Sequence, residues 1–170
     1  LGFGVGGYCL TKDPSFGQIA CDAFYSNSEI SFPFASLAMS TNNKMPERNL
    51  ERILQLLDKD SKQIRLLMLG VAYRSEVDDT RYSASEVFYK AAIKRGVKIS
   101  VHDPHVSYWR ETGVDISPSL PNPGGFDVIV FAVPHKFYRE IDIESWLQGW
   151  HGMIYDCDNV LSEPMRAFLK

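Results

Sequence analysis

The sequence predicts an α/β fold: a Rossmann-like parallel sheet domain preceded by a helical segment. Three observations carry this. Leu66–Ala72 and Phe126–Val133 are short, continuous apolar runs, as expected of strands buried on both faces. Between such runs lies a helical pattern, and strands alternating with helices imply parallel βαβ units. Ahead of them, residues 33–58 show apolar positions at helical spacing and no strand-like alternation.

Taken in order, residues 14–31 mix polar and apolar positions and read as helix and loop. Pro33 suits a helix start, where its missing N–H would be unpaired anyway. Phe34, Leu37, Ala38 and Thr41 follow at helical spacing. Pro46 is expected to interrupt that helix and start a second piece, with the apolar stripe Leu50, Ile53, Leu54 and Leu57. The polar residues 58–63 read as a linker. After the strand Leu66–Ala72, Ser83–Arg95 places Ala84, Val87, Phe88, Ala91 and Ala92 on one helical face, with Gly96 as its C-cap. Val97–Val101 is the next strand and ends at His102-Asp103-Pro104; Phe126–Val133 and Met153–Tyr155 complete the set.

Length and composition set bounds. At 170 residues the chain is one domain, or one domain with a sizeable appendage, and buries a real core. A net charge of −3 and a pI near 5.8 give no sign of affinity for nucleic acid or a membrane surface. No apolar run is long enough to span a bilayer. Three cysteines (Cys9, Cys21, Cys157), a low and odd count, fit a reducing compartment such as the cytoplasm. Cys21 and Cys157 read as buried small hydrophobes. The four histidines show no zinc-ligand spacing and read as strand-end and loop residues.

Two stretches hold candidate chemistry. Gly4, Gly6 and Gly7 precede Cys9, and Lys12 and Asp13 follow. Glycines let a ligand approach the backbone. A cation favours the nucleophilic thiolate, and a carboxylate can hold a water. Covalent catalysis and a tight turn carrying a structural thiol both fit this pattern. The second stretch follows the first strand: Gly70, Tyr73, Arg74, Asp78, Asp79, Arg81, then a helix. Ligands in open α/β sheets bind outside the carboxyl ends of strands, which is where this loop lies. It lacks Gly-x-Gly-x-x-Gly, which argues against a tightly held dinucleotide pyrophosphate. Arg74 and Arg81 suit bidentate contacts to phosphate or a base edge, and Tyr73 offers a stacking face. Spacing alone favours a solvated loop with Asp78 or Asp79 capping the helix.

The Gly-Gly-x-Cys stretch ending in Asp13 resembles the active-site motif of the UDP-glucose/GDP-mannose dehydrogenase family. Further resemblances follow in chain order: Asn42, Met45 and Pro46 to its central helix; Gly70, Tyr73, Arg74 (for the usual Lys), Asp79, Arg81 and Ser83 to the opening of its C-terminal domain; Val97–Pro104 to its next strand; Asp156 and Asn159 to a later strand end. The resemblance implies a catalytic-cysteine loop with part of a helical dimerisation segment over residues 1–60, and a Rossmann-like UDP-sugar-binding domain over 61–170. It further implies that the chain is the C-terminal part of an NAD-dependent nucleotide-sugar 6-dehydrogenase, forming a homodimer. Cys9 would form a thiohemiacetal and then a thioester, with Asp13 orienting the hydrolytic water and Lys12 favouring anions. Gly4, Gly6, Gly7, Tyr73 and Arg74 would bind the nucleotide sugar. Arg81 would reach an NAD domain that this chain lacks. A non-catalytic nucleotide-sugar-binding fragment and an unrelated cysteine hydrolase are the alternatives. The sugar and the base (UDP or GDP) stay open.

Overall fold

The structure, a computed structural model, describes residues 2–25 and 29–163. A short 3-10 turn, Asp13–Ser15, leads into α1 (Phe16–Phe24) and then the long α2 (Pro33–Leu57). Four parallel strands follow: β1 (Arg65–Leu69), β2 (Lys98–His102), β5 (Val128–Phe131) and β6 (Met153–Asp156), with α3 (Ala84–Lys94) between the first two. The small antiparallel hairpin β3 (Tyr108–Trp109) and β4 (Val114–Asp115) stands apart from this sheet. Two short helices, α4 (Lys136–Glu140) and α5 (Ile143–Trp146), link β5 to β6.

Strand order is β2-β1-β5-β6. From β1 the chain crosses by α3 to β2 on one side, then returns past β1 to β5 on the other. The order therefore switches between β1 and β5, and a crevice opens there at the carboxyl ends. The two central strands are fully buried and wholly apolar over Leu66–Leu69 and Val128–Phe131. Strand alternation sends their side chains to two cores. Leu66, Met68, Val128 and Val130 meet Leu50 and Ile53 of α2 and Phe88 and Ala92 of α3. Leu67, Leu69, Ile129 and Phe131 meet Tyr138, Ile143 and Leu147 on the opposite face. Helices cover both faces, which is what the unbroken apolar runs require.

Several expectations need correction. Pro46 does not divide α2, which runs unbroken from Pro33 to Leu57 with Pro46 inside it. Pro46, Asn49, Leu50 and Ile53 are buried, and that burial offsets the missing N–H. β1 ends at Leu69, because Gly70 turns the chain with φ +100° and a Cβ there would fall 2.4 Å from Val133 Cβ. Neither Asp78 nor Asp79 caps α3; Ser83 does, accepting from the Ser85 N–H. Cys157 is buried as expected, but Cys21 on α1 is only half-buried. The hairpin and the short helices go unpredicted, since two-residue strands leave no periodicity to read.

Candidate functional site

A cavity of about 360 Å³ lies in the switch-point crevice. Its wall comes from the first residues (Phe3 to Gly6, and Leu10), from the β1–α3 loop (Ala72 to Ser75), from the start of α3 and from Val133–Pro134 after β5. Asp158, just past β6, closes it. The structure thus brings Gly4, Gly6, Tyr73 and Arg74 into one cavity across a long stretch of intervening sequence.

The glycines allow this because the N-terminal stretch lies directly on the loop. A Cβ on Gly6 would sit 2.7 Å from the Tyr82 carbonyl. Gly7 has φ +89°, and a Cβ there would fall 2.8 Å from the Tyr73 ring. Its N–H donates to the Tyr82 carbonyl at 3.2 Å. Asn42 on α2 holds the other side, accepting from Val5 N–H at 2.7 Å and donating to the Val5 carbonyl at 2.8 Å. Pro46 leaves the Asn42 carbonyl without its helical donor, and the glycine stretch docks against that gap, with Gly4 beside the carbonyl.

Past Gly7 the chain turns outward. Thr11 donates to the Gly7 carbonyl, and the Asp13 N–H donates to the Cys9 carbonyl at 2.9 Å. Cys9 is exposed, next to Leu10 at the cavity wall. The Lys12 ammonium pairs with Asp13 and sits over the rings of Tyr8 (4.7 Å) and Phe16 (4.6 Å). The hydrogen bond it donates to Asp13 raises its pKa above the ordinary lysine value, so it remains a cation. Burial pushes the Cys157 thiol up instead, which removes it as a nucleophile.

On the loop, the Arg74 guanidinium lies 5.7 Å from the Tyr73 ring centroid, a cation–π pair open to solvent. Arg81 points its fork at Asp79, with N–O distances of 2.9 and 2.7 Å. That contact lowers the Asp79 pKa and raises that of Arg81. Arg81 does not line the cavity.

The spacing of residues did not reveal the buried support for this loop. Asp103, fully buried after β2, accepts from the N–H groups of Val71 (2.8 Å) and Ala72 (3.1 Å) through Oδ2 and from His105 N–H through Oδ1. His135 Nε2 lies 3.2 Å from the same Oδ2. Burial opposes the Asp103 charge, but the His135 contact and the backbone donors outweigh it and hold the carboxyl below the usual range. Ser83 and Ser85 add hydrogen bonds to the carbonyls of Ala72 and Gly70. The resemblances at Gly70, Ser83 and Asp103-Pro104 are the sequence signal for this support; its geometry left none.

Comparison with known proteins decides the family. Residues 67–163, more than half of the chain, match the UDP binding domain of the UDP-glucose/GDP-mannose dehydrogenase family. The chain belongs to that family. It is 30% identical, over 99% of its length, to the UDP-N-acetyl-D-mannosamine dehydrogenase of Pyrococcus horikoshii, covering 38% of that protein. It is 28% identical to the UDP-glucose 6-dehydrogenase of Rickettsia bellii, over 61% of this chain and 23% of that one. Among solved structures, the NDP-N-acetyl-D-galactosaminuronic acid dehydrogenase of Methanosarcina mazei superposes over 98% of this chain with a TM-score of 0.82 and 28% identity. There too the match spans 37% of the other chain. The chain thus spans under two fifths of these relatives' length. The cavity lies within the family's UDP binding domain, with a wall added by the glycine stretch that precedes it.

Proposed function

We propose that this chain is the nucleotide-sugar-binding, cysteine-bearing C-terminal part of an NAD-dependent nucleotide-sugar 6-dehydrogenase, which takes a UDP-sugar C6 alcohol to the uronic acid. One observation carries the proposal: the glycine stretch leading to Cys9 and the loop bearing Tyr73 and Arg74 wall the same cavity. The nucleotide's phosphates face Arg74 and the first turn of α3, whose N–H groups and dipole favour anions. Tyr73 offers its face to the base. Gly4, Gly6 and Gly7 bring the backbone against the ligand and align the turn that presents Cys9.

The Cys9 thiolate adds to the C6 aldehyde carbon to give a thiohemiacetal. At the next oxidation level the thioester is cleaved by water to the carboxylate and free thiol. Asp13 orients that water, and Lys12 stabilises the developing anion. Both oxidations need a hydride acceptor, and NAD is the one the family resemblance implies. The β1–α3 turn does not form its cradle, having Gly70 alone where a dinucleotide site needs three glycines. Arg81, exposed beside the cavity, reaches toward the NAD-bearing part in the intact enzyme, exchanging Asp79 for the cofactor. Residues 1–60 serve catalysis and assembly, and residues 61–170 the nucleotide.

The N-terminal half of α2 displays Phe34 and Leu37 to solvent, which supports a homodimer built on this helix. Among the described residues no helix is long and apolar enough to cross a membrane, and the charge favours neither nucleic acid nor lipid. The cytoplasm is the compartment that fits.

The test pairs binding with turnover. UDP at millimolar concentration is expected to raise the melting temperature of this chain, while the chain by itself reduces no NAD. In the full-length protein Cys9→Ser is expected to lower kcat at least about a thousandfold with the melting temperature unchanged. Failure of both UDP and GDP to shift the melting temperature overturns the assignment of Tyr73 and Arg74. Full activity in Cys9→Ser overturns the nucleophile.

A further inference from the structure

A second cluster lies at the same edge of the sheet, outside the cavity. Glu76 comes from the β1–α3 loop, His105 follows β2 and His135 follows β5. Glu76 Oε1 is 3.6 Å from His105 Nε2 and 3.6 Å from His135 Nδ1. All three donor atoms lie within 4.8 Å of one another. The centroids of the two imidazole rings lie 5.0 Å apart, with the rings tilted at 53°. Glu76 is held in this place by a left-handed backbone, φ 60°, and by the Lys136 N–H, which donates to its carboxylate at 2.7 Å.

The buried side of the cluster is prepared. His135 is fully buried, and its Nε2 meets the ionised Asp103 carboxylate. Nε2 therefore carries the proton, and Nδ1 presents a lone pair to Glu76 and His105. At present Nδ1 accepts the Glu76 N–H at 3.1 Å. A carboxylate that fixes the tautomer of a histidine whose other nitrogen faces further donors is the usual support of a metal-binding imidazole. The spacing also fits. With metal–ligand bonds of about 2.0–2.1 Å, ligand atoms on a tetrahedral zinc stand about 3.3–3.4 Å apart. The two observed 3.6 Å separations close to that with small side-chain shifts, and the two histidine nitrogens, within 4.8 Å of each other, with a rotation of the exposed His105.

We propose that Glu76, His105 and His135 form a binding site for a divalent transition cation of the zinc class. Two imidazoles and one carboxylate select such an ion over calcium or magnesium, which take oxygen ligands. The fourth position is filled by water. Nδ1 exchanges the Glu76 N–H for the metal, and the ion pins the β1–α3 loop to the ends of β2 and β5. Tyr73 and Arg74 ride on that loop, so the metal stiffens the cavity wall. This inference is independent of the dehydrogenase reading.

The experiment uses untagged chain stripped with a chelator and titrated with Zn²⁺ by calorimetry. One saturable site per chain is expected, with a rise in melting temperature that chelator reverses. Co²⁺ substitution is expected to give visible d–d bands without a thiolate charge-transfer band. His105→Ala changes an exposed side chain and is expected to weaken binding at least tenfold, as is Glu76→Gln; Cys9→Ser leaves it unchanged. No saturable binding, binding that survives His105→Ala, or binding lost in Cys9→Ser would overturn the proposal.

Discussion

The segment Gly4–Asp13 and the Glu76–Asp103–His105–His135 cluster stand at the same edge of one sheet and are built in opposite ways. The first is continuous in sequence, and its reactive side chains lie at the surface: Cys9 is exposed, and Lys12 and Asp13 pair with each other there. The second is assembled from three loops around two buried groups, Asp103 and His135. The difference teaches where stability and chemistry reside. The exposed turn can vary its chemistry at little cost to the fold, whereas the cluster holds the carboxyl ends of β1, β2 and β5 together.

Asp103→Ala breaks the comparison most directly. It strips acceptors from the Val71, Ala72 and His105 N–H groups and from His135, all at the base of the cavity loop. The expected loss is about 3 to 5 kcal/mol in chemical denaturation. Asp103 also has a predictable pH signature. Its folded pKa is depressed, so the unfolded chain binds the proton first as pH falls. Its contribution is present above the unfolded carboxylate value, about 3.9, and is lost as pH falls through the folded one. Asp103→Asn should remove that part of the acid slope. A wild-type acid slope in Asp103→Asn would show that other carboxylates carry it.

Gly7→Ala tests a point where the exposed segment does bear on the fold. The substitution strains a φ of +89° and drives a methyl into the Tyr73 ring. About 1 to 3 kcal/mol of destabilisation is expected, with weaker UDP binding because Tyr73 is displaced. Unchanged stability and unchanged UDP affinity would show that the stretch is free of the loop.

How much could be read from the sequence follows the same division. The central strands were legible because Leu66–Leu69 and Val128–Phe131 are apolar without a break, and α3 because Ala84, Phe88 and Ala92 share one helical face and Gly96 follows it; its Ser83 cap was not. The Cys9 turn was legible as a local motif. Continuity of α2 through Pro46 was not, since it depends on burial against residues far along the chain. The histidines gave no ligand spacing because strand order, not sequence separation, brings His105 and His135 to Glu76. Asn42 and Asp103 showed only as resemblances; their work is to bond backbone groups on other elements.

Asp158 offers the smallest and finest test, because it joins the cavity to the residues just ahead of the exposed segment: it lines the cavity and accepts from the Phe3 N–H. Burial raises its pKa; the Phe3 N–H works against that rise, and the neighbouring Asp156 adds to it. The sign is the reverse of Asp103. A carboxyl whose folded pKa is raised opposes folding above that value, and the opposition fades as pH falls through it. Asp158→Asn keeps an oxygen for the Phe3 N–H and removes the charge. The group is half-exposed, so solvent screens most of the effect, and a gain of about 0.5 kcal/mol at pH 7 is expected, vanishing below the carboxylate range. A loss at pH 7 instead would mean that the charge itself is held by a partner in the cavity wall, and the N-terminal stretch would then count as part of the stabilising framework beside Asp103.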